Sequence, residues 1–262
     1  MRWTNLLRLQ PFEDPLHNSL RSVATRTRAH RREPKADEVQ ASSLVERIYA
    51  HLESKIVTLE LPPGALLSEL VIGREFGVSR TPVGEALQRL AREGLVTILP
   101  RRGIVVTEIS VSEQLRLLEF RREIAKFIAR AGAKRANASE RDALRRVSKA
   151  FLQAAEKRNE AAVLAADKAF HDLFATCAHN NFAATAIGPL DSLSRRFFYV
   201  HKPVVGDLQL SAKLHANIAL AIADGDPQAA EDAADAMADY LDEFARSTLD
   251  QPLALLPKAV PR

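Results

Sequence analysis

The sequence predicts a mainly α-helical protein in which one small β-hairpin separates a short N-terminal helical segment from a longer all-helical region. Aromatic residues make up 6 % of the 262 residues, while alanine and leucine are plentiful, which favours helices. Apolar residues recur at helical spacing along most of the chain. Two β-rich runs, Leu95–Leu99 and Ile104–Thr107, flank one turn and predict the hairpin.

Composition limits the class of protein further. The apolar content of 47 % is enough to bury a core, and the length suits one or two domains. No apolar run is long enough to span a bilayer, so we expect no membrane association. Cys177 is the single cysteine, which excludes an intramolecular disulfide and cysteine-based metal clusters. We therefore expect a cytoplasmic protein.

Residues 1–40 differ from the rest of the chain. They hold 8 Lys and Arg against 5 Asp and Glu, with no sustained apolar period. We interpret them as a disordered basic extension, which would add affinity for DNA phosphates. Two alternatives stay open: an arginine-rich transit peptide, or a start codon at Met1 that is not the one used.

Residues 41–108 are predicted to form a compact unit that begins with a helix, because four apolar residues recur at four-residue intervals. These are Leu44, Ile48, Leu52 and Ile56. Leu61-Pro62-Pro63-Gly64 stops this helix. A second short helix is predicted over Ser68–Phe76, followed by a tight turn in which Ser79 is the N-cap of the next helix.

The third helix is predicted from Arg80 to Arg92, with Gly94 just beyond its end. The hairpin follows, with Pro100-Arg101-Arg102-Gly103 at its tip. Helix, short helix, turn, helix and hairpin is the order of a winged helix-turn-helix. The predicted domains are thus a winged helix-turn-helix domain over 41–108 and an all-helical bundle over 109–249, with a loose tail over 250–262.

The third helix has two distinct faces. Val83, Ala86, Leu87 and Leu90 fall on the face that would pack inward. The opposite face carries groups that bind phosphates and base edges in a major groove. These are Arg80, Thr81, Gly84 and Gln88. Arg101 and Arg102 lie where a wing would reach DNA. A small helical domain with a solvated arginine face is the alternative.

The bundle is predicted to begin with a helix after Ser112, whose apolar stripe falls at helical spacing. The stripe consists of Leu117, Phe120, Ile124, Phe127, Ile128 and Ala131. Further helices are predicted near 138–158, 160–178, 183–200, 208–224 and 227–248.

Three residues of the bundle have the chemistry of metal ligands. Asp167 and His171 share one helix face, since they are four residues apart. His215 lies on another predicted helix, on the same side as Ile218 and Ile222. A carboxylate and two imidazoles from two helices can hold a divalent cation such as zinc, nickel or manganese. A surface Asp–His pair and a structural histidine are the alternative interpretation.

Several short motifs together resemble the winged-helix domain of the GntR family of bacterial transcription regulators. They are Leu61-Pro62-Pro63-Gly64, Gly77-Val78-Ser79-Arg80-Thr81-Pro82-Val83, Glu93-Gly94-Leu95-Val96 and Arg102-Gly103. The resemblance implies that Arg80 and Thr81 contact DNA and that the tip Arg101–Gly103 enters the minor groove. Gly84 stands where this family commonly has arginine, which implies a different operator preference.

The region 109–249 resembles the FCD effector-binding domain of the FadR subfamily, through Asp167–His171, Leu214–Ile218 and Ala221–Pro227. This resemblance implies that Asp167, His171 and His215 are metal ligands. It also implies an effector pocket. Arg121, rather than Arg122, would meet an effector carboxylate, and Asn181 would close the pocket, with a helix cap as the alternative role for Asn181. Tyr240 stands at the position that we align with a fourth, histidine ligand, so the site would have three protein ligands or hold no metal. In the effector pocket, Tyr240 would instead hydrogen-bond a metal-bound water or the effector.

These observations predict a transcription regulator rather than an enzyme. We expect a homodimeric repressor that binds a near-palindromic double-stranded operator and responds to a small carboxylate effector. One alternative is a DNA-binding regulator whose helical domain only dimerises. The other is a metal-dependent hydrolase, which is disfavoured because the sequence has no HExxH, nucleophile elbow, P-loop or GxGxxG motif.

Overall fold

A computed structural model describes residues 36–205 and 207–249, with side chains over 44–201 and 207–249. The predicted tail 250–262 and residues 1–35 of the predicted extension lie outside the described residues. The first helix begins at Ala36, so residues 36–40 of that extension are helical. From residue 43 onward the described chain belongs to one compact unit.

The described residues contain nine helices and three short strands, and the predicted mainly helical fold class is confirmed. In chain order the elements are α1 (Ala36–Val57), β1 (Leu66–Leu67), α2 (Glu69–Phe76), α3 (Arg80–Arg92), β2 (Val96–Leu99), β3 (Gly103–Val106), α4 (Val111–Arg135), α5 (Ala138–Glu156), α6 (Glu160–Cys177), α7 (Asn181–Val205), α8 (Leu208–Asp224) and α9 (Pro227–Ser247).

Residues 43–107, called the winged-helix domain below, pack helices α1, α2 and α3 against a small sheet. The apolar stripe predicted for α1 supplies Ile48, Leu52 and Ile56 to the core. Gly77 adopts a left-handed conformation at φ 65° at the end of α2, a region that glycine enters without steric cost. The short turn after Gly77 lets α3 pack against α2 in the helix-turn-helix arrangement.

The sheet has the antiparallel order β1-β3-β2. Strands β2 and β3 form the predicted hairpin, with Leu99 opposite Gly103. The two residues of β1 were not predicted, because a two-residue strand has no measurable alternation of its own. Leu66 and Leu67 instead pair with Val105 and Ile104, which is a tertiary contact.

Residues 111–249, called the helical domain below, form a bundle in which α4 packs on α7 and α9, and α5 packs on α6 and α8. Two apolar clusters hold these helices together. The larger includes Ile128, Leu144, Phe151, Phe170 and Ile222, and the smaller consists of Leu118, Phe197, Phe244 and Ala245. No described helix has the length and apolar content that crossing a membrane requires.

One part of the predicted core stripe is wrong. Phe120 is 59 % exposed, while the next residue, Arg121, is 6 % exposed. The buried positions of α4 run through Leu118, Arg121, Ala125 and Ile128, at spacings of three and four residues. Consecutive residues lie about 100° apart around a helix. At this point the predicted stripe was displaced by one residue, so the buried position expected for Phe120 is occupied by Arg121.

Candidate functional site

Helix α3 presents the two faces that its sequence predicts. Val83, Ala86, Leu87 and Leu90 are all 0 % exposed, which confirms the inward face. Arg80, Thr81 and Gln88 are exposed, and Gly84 is half-buried. An α-helix with a polar exposed face beside a hairpin has the shape that enters a major groove.

The N-terminus of α3 leaves polar groups available. Ser79 has the extended backbone of an N-cap residue, but its side chain makes no capping hydrogen bond. The predicted N-cap position of Ser79 is therefore confirmed. Backbone N–H groups at the start of a helix bind phosphate oxygens, and Arg80 and Thr81 lie beside them.

Some arginines of the winged-helix domain form ion pairs with carboxylates, and others do not. Arg89 donates to Glu46 at 2.6 Å and to Glu93 at 3.1 Å, and its guanidinium lies over the Tyr49 ring at 3.6 Å. Among the described residues, Arg80, Arg101 and Arg102 have no ion-pair partner. These three are exposed on α3 and on the wing, so their charges are available to a phosphate backbone.

The turn of the wing requires unusual backbone conformations. Arg101 has φ 63° and Gly103 has φ 101°. The Arg102 backbone N–H donates to the carbonyl of Leu99 at 3.0 Å and closes the turn. Arg101 and Arg102 are therefore held at the exposed end of the hairpin.

Gly84 faces helix α2 as well as solvent. A Cβ atom at this position would lie 3.4 Å from Oε1 of Glu69. A larger side chain at position 84 would therefore displace the Glu69 carboxylate.

The helical domain contains a cavity of about 520 Å³. Helix α6 contributes Asp167 and His171 to its lining, and α8 contributes His215. Oδ1 of Asp167 lies 3.4 Å from Nε2 of His171 and 3.7 Å from Nε2 of His215. The structure thus brings together the three residues that the sequence singled out as metal ligands.

The other nitrogen of each imidazole is already hydrogen-bonded. Nδ1 of His215 donates to the carbonyl of Ser211 at 2.9 Å. Nδ1 of His171 lies 2.9 Å from Oδ2 of Asp191. Such partners direct the Nε2 lone pairs of metal-binding histidines toward the ion. With one donor atom from each of Asp167, His171 and His215 lying within 4.8 Å of the others, the residues fit a divalent cation and leave coordination positions open.

Strong electrostatic coupling accompanies this geometry. Burial would raise the pKa of Asp167, but His171, Arg195 and His215 hold it well below its usual range. Burial opposes the charged form of His171, yet Asp191 and Asp167 raise its pKa to about 9. Burial lowers the pKa of His215 to about 4. Without metal, therefore, a proton on His171 balances the buried carboxylates while His215 stays neutral.

Three charged residues at this site were not predicted from the sequence. Nε of Arg195 donates to Oδ2 of Asp167 at 2.6 Å, and Nη1 of Arg195 lies 3.8 Å from Oε1 of Glu53 on α1. Ser192 donates to the same Glu53 oxygen at 2.9 Å. Asp191 is the third charged residue and is held by His171 and Arg121, which lower its pKa to about 2 against the effect of burial. The spacing of Asp191 and Arg195 on α7 was an available signal.

The structure distinguishes the two neighbouring arginines. Arg121 lines the cavity and donates through Nε to Oδ1 of Asp191 at 2.9 Å. Arg122 instead pairs with Asp235 and Asp239 on α9. Only the first of these arginines therefore faces the histidine cluster.

Two further predicted pocket residues lie away from the cavity. Asn181 is exposed at the start of α7, and the side chain of the preceding Asn180 caps the helix by accepting from Phe182 and Ala183 N–H groups. The Tyr240 hydroxyl donates to the carbonyl of Asp207 at 3.2 Å. Neither Asn181 nor Tyr240 is among the described residues that line the cavity.

The winged helix with its exposed polar face defines a DNA-binding protein of the transcription-regulator class. Residues 44–106 match the family model described as bacterial regulatory proteins, gntR family. Residues 116–240 match the model of the FCD domain. The chain belongs to the GntR family and carries an FCD domain.

Curated relatives agree with this assignment. An HTH-type transcriptional regulator in the TAR-I ttuE-ttuC' intergenic region of Agrobacterium vitis is 32 % identical over 168 residues, which cover 61 % of this chain and 95 % of the relative. The HTH-type transcriptional repressor RspR of Escherichia coli is 30 % identical over 202 residues, covering 77 % of this chain and 87 % of the relative.

Solved structures show the same fold. E. coli McbR/YncC matches with a TM-score of 0.67 at 16 % identity, over 79 % of this chain and 99 % of that one. A GntR regulator from Rhodococcus sp. RHA1 matches with a TM-score of 0.59 at 23 % identity, over 80 % and 99 % of the two chains. At these identities the similarity concerns the fold.

Proposed function

We propose that the protein is a cytoplasmic, metabolite-responsive repressor whose operator affinity changes when a small organic acid binds in the helical domain through a divalent metal. The observation that carries the proposal is the convergence of Asp167, His171 and His215 on one point of the cavity. The Nδ1 contacts to Asp191 and to the Ser211 carbonyl support it, because they leave both Nε2 atoms directed at the cluster.

Asp167, His171 and His215 would hold zinc, nickel or manganese. A metal bound there would supply a Lewis-acidic position for a carboxylate. Arg121 and Arg195 line the same cavity and would add positive charge beside that carboxylate. Asp191 would keep Arg121 and the His171 ring in place.

We further propose that two copies bind one operator. Helix-turn-helix dimers place a recognition helix in the major groove at each of two half-sites, so a two-fold dimer reads a near-palindromic sequence. Arg80, Thr81, Gly84 and Gln88 would read the groove, with the tip Arg101–Gly103 at the adjacent minor groove. Repression follows the E. coli relative that is named a repressor.

A metal analysis tests the site. Purified wild type is expected to contain about one divalent ion per chain by elemental mass spectrometry. His171→Ala should contain little, because it loses one of three donors. His179→Ala is the matched control, since His179 is exposed and contacts Glu140 instead. Absence of metal from all three proteins would contradict the proposed site and favour a helical domain that only dimerises.

A further inference from the structure

The cavity around the metal-ligand cluster has a group of charged side chains at that cluster, and most of its remaining lining is apolar. This group consists of Asp167, His171 and His215 with Arg121 and Arg195. The apolar wall comes from helices α5 to α9. It includes Phe151, Val163, Leu164, Phe198, Leu208 and Leu241. A ligand that filled this space would need a polar head and an apolar body, because apolar walls gain nothing from polar atoms that they cannot hydrogen-bond.

The end of helix α1 in the winged-helix domain supplies another part of the wall, through Ser54 and Val57, together with Thr58 in the turn that follows the helix. Val57 is only 3 % exposed. It is nevertheless absent from the winged-helix core cluster to which its neighbour Ile56 belongs. Val57 is therefore buried on the side of α1 that faces the cavity, and a ligand in the cavity can touch the DNA-binding domain directly.

The size of the cavity also argues against a very small acid. Its volume of about 520 Å³ falls in the range of sites that enclose drug-sized ligands. An acid of two or three carbons at the metal-ligand cluster would leave most of the apolar wall without contacts. Enclosed ligands bury most of their surface in such sites.

We propose that the effector is a carboxylate with an apolar body, whose carboxylate lies at the metal-ligand cluster and whose body extends along the apolar wall to Val57 at the end of helix α1 and Thr58 just beyond it. This inference rests on the proposed function, since it assumes a carboxylate effector at the same cluster. It adds the chemical class of the body and a subsite on the DNA-binding domain.

A chain-length series tests the class of ligand. The full chain, loaded with one equivalent of zinc, is titrated calorimetrically with butanoate, hexanoate, octanoate and 1-octanol. Each buried methylene should raise the affinity by about fourfold, so octanoate should bind far more tightly than butanoate. Octanol lacks the carboxylate and should bind at least about tenfold more weakly than octanoate.

Two variants test the subsite on α1. Val57→Ala should weaken octanoate binding by about three- to tenfold, because it removes methyl groups that the chain would contact, and leave butanoate unchanged. Val71→Ala is the matched control, since Val71 is 61 % exposed on α2 and does not line the cavity. Thermal unfolding of both variants verifies that they are folded.

The outcomes separate the inference from the proposed function. Equal affinities for butanoate and octanoate would overturn the inference that the effector has an apolar body, and so would an equal loss of affinity for both acids in Val57→Ala. Either result would leave the proposal of a carboxylate effector in place. Failure of every acid to bind the zinc-loaded protein would overturn the carboxylate effector and the inference with it. Affinity that rises with chain length, with a loss specific to octanoate in Val57→Ala, would support the inference.

Discussion

Unpaired charge distinguishes the residues that can bind DNA from those that hold the winged-helix domain together. Arg80, Arg101 and Arg102 are exposed and have no ion-pair partner among the described residues, whereas Arg89 is tied to Glu46 and Glu93. A guanidinium with a carboxylate partner would have to lose that partner before it could contact a phosphate. Arg74 and Arg92 are also exposed and without an ion pair among the described residues, so the expected DNA contacts are assigned to Arg80, Arg101 and Arg102 by their positions on α3 and on the wing.

Replacement of Arg80 should weaken operator binding without unfolding the protein. Arg80→Ala removes an exposed cation at the start of the recognition helix, and such a base or phosphate contact is worth about 1–3 kcal/mol of binding. Operator affinity is measured by fluorescence anisotropy at matched salt. Arg146→Ala, an exposed arginine on α5, is the control. Unchanged affinity in Arg80→Ala would contradict the assignment of α3.

The hydrogen bond of the Tyr240 hydroxyl predicts a role in stability rather than in metal binding. Because that hydroxyl donates to the Asp207 carbonyl, Tyr240→Phe should lower the free energy of unfolding by about 0.5–1.5 kcal/mol and leave the metal content at the wild-type level. Denaturant unfolding and elemental mass spectrometry measure the two quantities. Loss of metal from this variant would mean that Tyr240 takes part in the metal site.

Contacts between helices join the cavity to the DNA-binding domain. Arg195 on α7 lies between Asp167 on α6 and Glu53 on α1. A cation bound by Asp167 would weaken the attraction of that carboxylate for Arg195 and leave Arg195 more strongly attracted to Glu53. Occupancy of the site would thereby change how tightly α1 is held, which is the differential contact that allosteric coupling requires.

Removing the charge of Glu53 should reduce this coupling. In Glu53→Gln, the amide oxygen can still accept from Ser192, so the variant chiefly removes the attraction to Arg195. Operator affinity is measured with zinc and with a chelator, and the ratio of the two values gives the effect of zinc. We expect this effect to be about fivefold smaller in Glu53→Gln than in wild type, which is the lower end of typical allosteric couplings.

Glu46→Gln is the control for this experiment, because Glu46 lies on the same helix but pairs with Arg89 inside the winged-helix domain. Zinc affinity, measured by calorimetry, should be unchanged in Glu46→Gln and lower in Glu53→Gln, because Arg195 is then left to Asp167 alone. Operator binding is therefore compared at saturating zinc. A zinc-dependent affinity ratio in Glu53→Gln equal to that of wild type would exclude this route of coupling.

The spacing between the two half-sites of the operator tests whether two copies of the protein bind together. If two recognition helices bind half-sites on one face of the duplex, inserting five base pairs between the half-sites turns one of them to the opposite face. Operator affinity should then fall by more than about tenfold, and insertion of ten base pairs should restore part of it. Equal affinity for all three operators, measured by gel shift, would indicate independent binding by single chains.

Much of this molecule was predictable from local sequence. Turn residues and the four-residue apolar repeat predicted α1 to α3 and the hairpin, since those signals act over neighbouring residues. The pair Asp167 and His171 was predictable for the same reason, because helical spacing alone puts both on one face. His215 needed the resemblance in addition, as no local signal links it to α6.

The rest depended on contacts between residues distant in the chain. Asp191 and Arg195 reach the site because α7 packs against α6, and Glu53 reaches it through Ser192 and Arg195 of α7. The four-residue spacing of Asp191 and Arg195 puts both on one face of α7, but it does not say which helix that face meets. Phe120 was expected in the core and is exposed for a related reason: adjacent residues differ by about 100° around a helix, and packing sets which of them faces inward. The exact set of charges around the metal-ligand cluster is therefore a property of the folded chain.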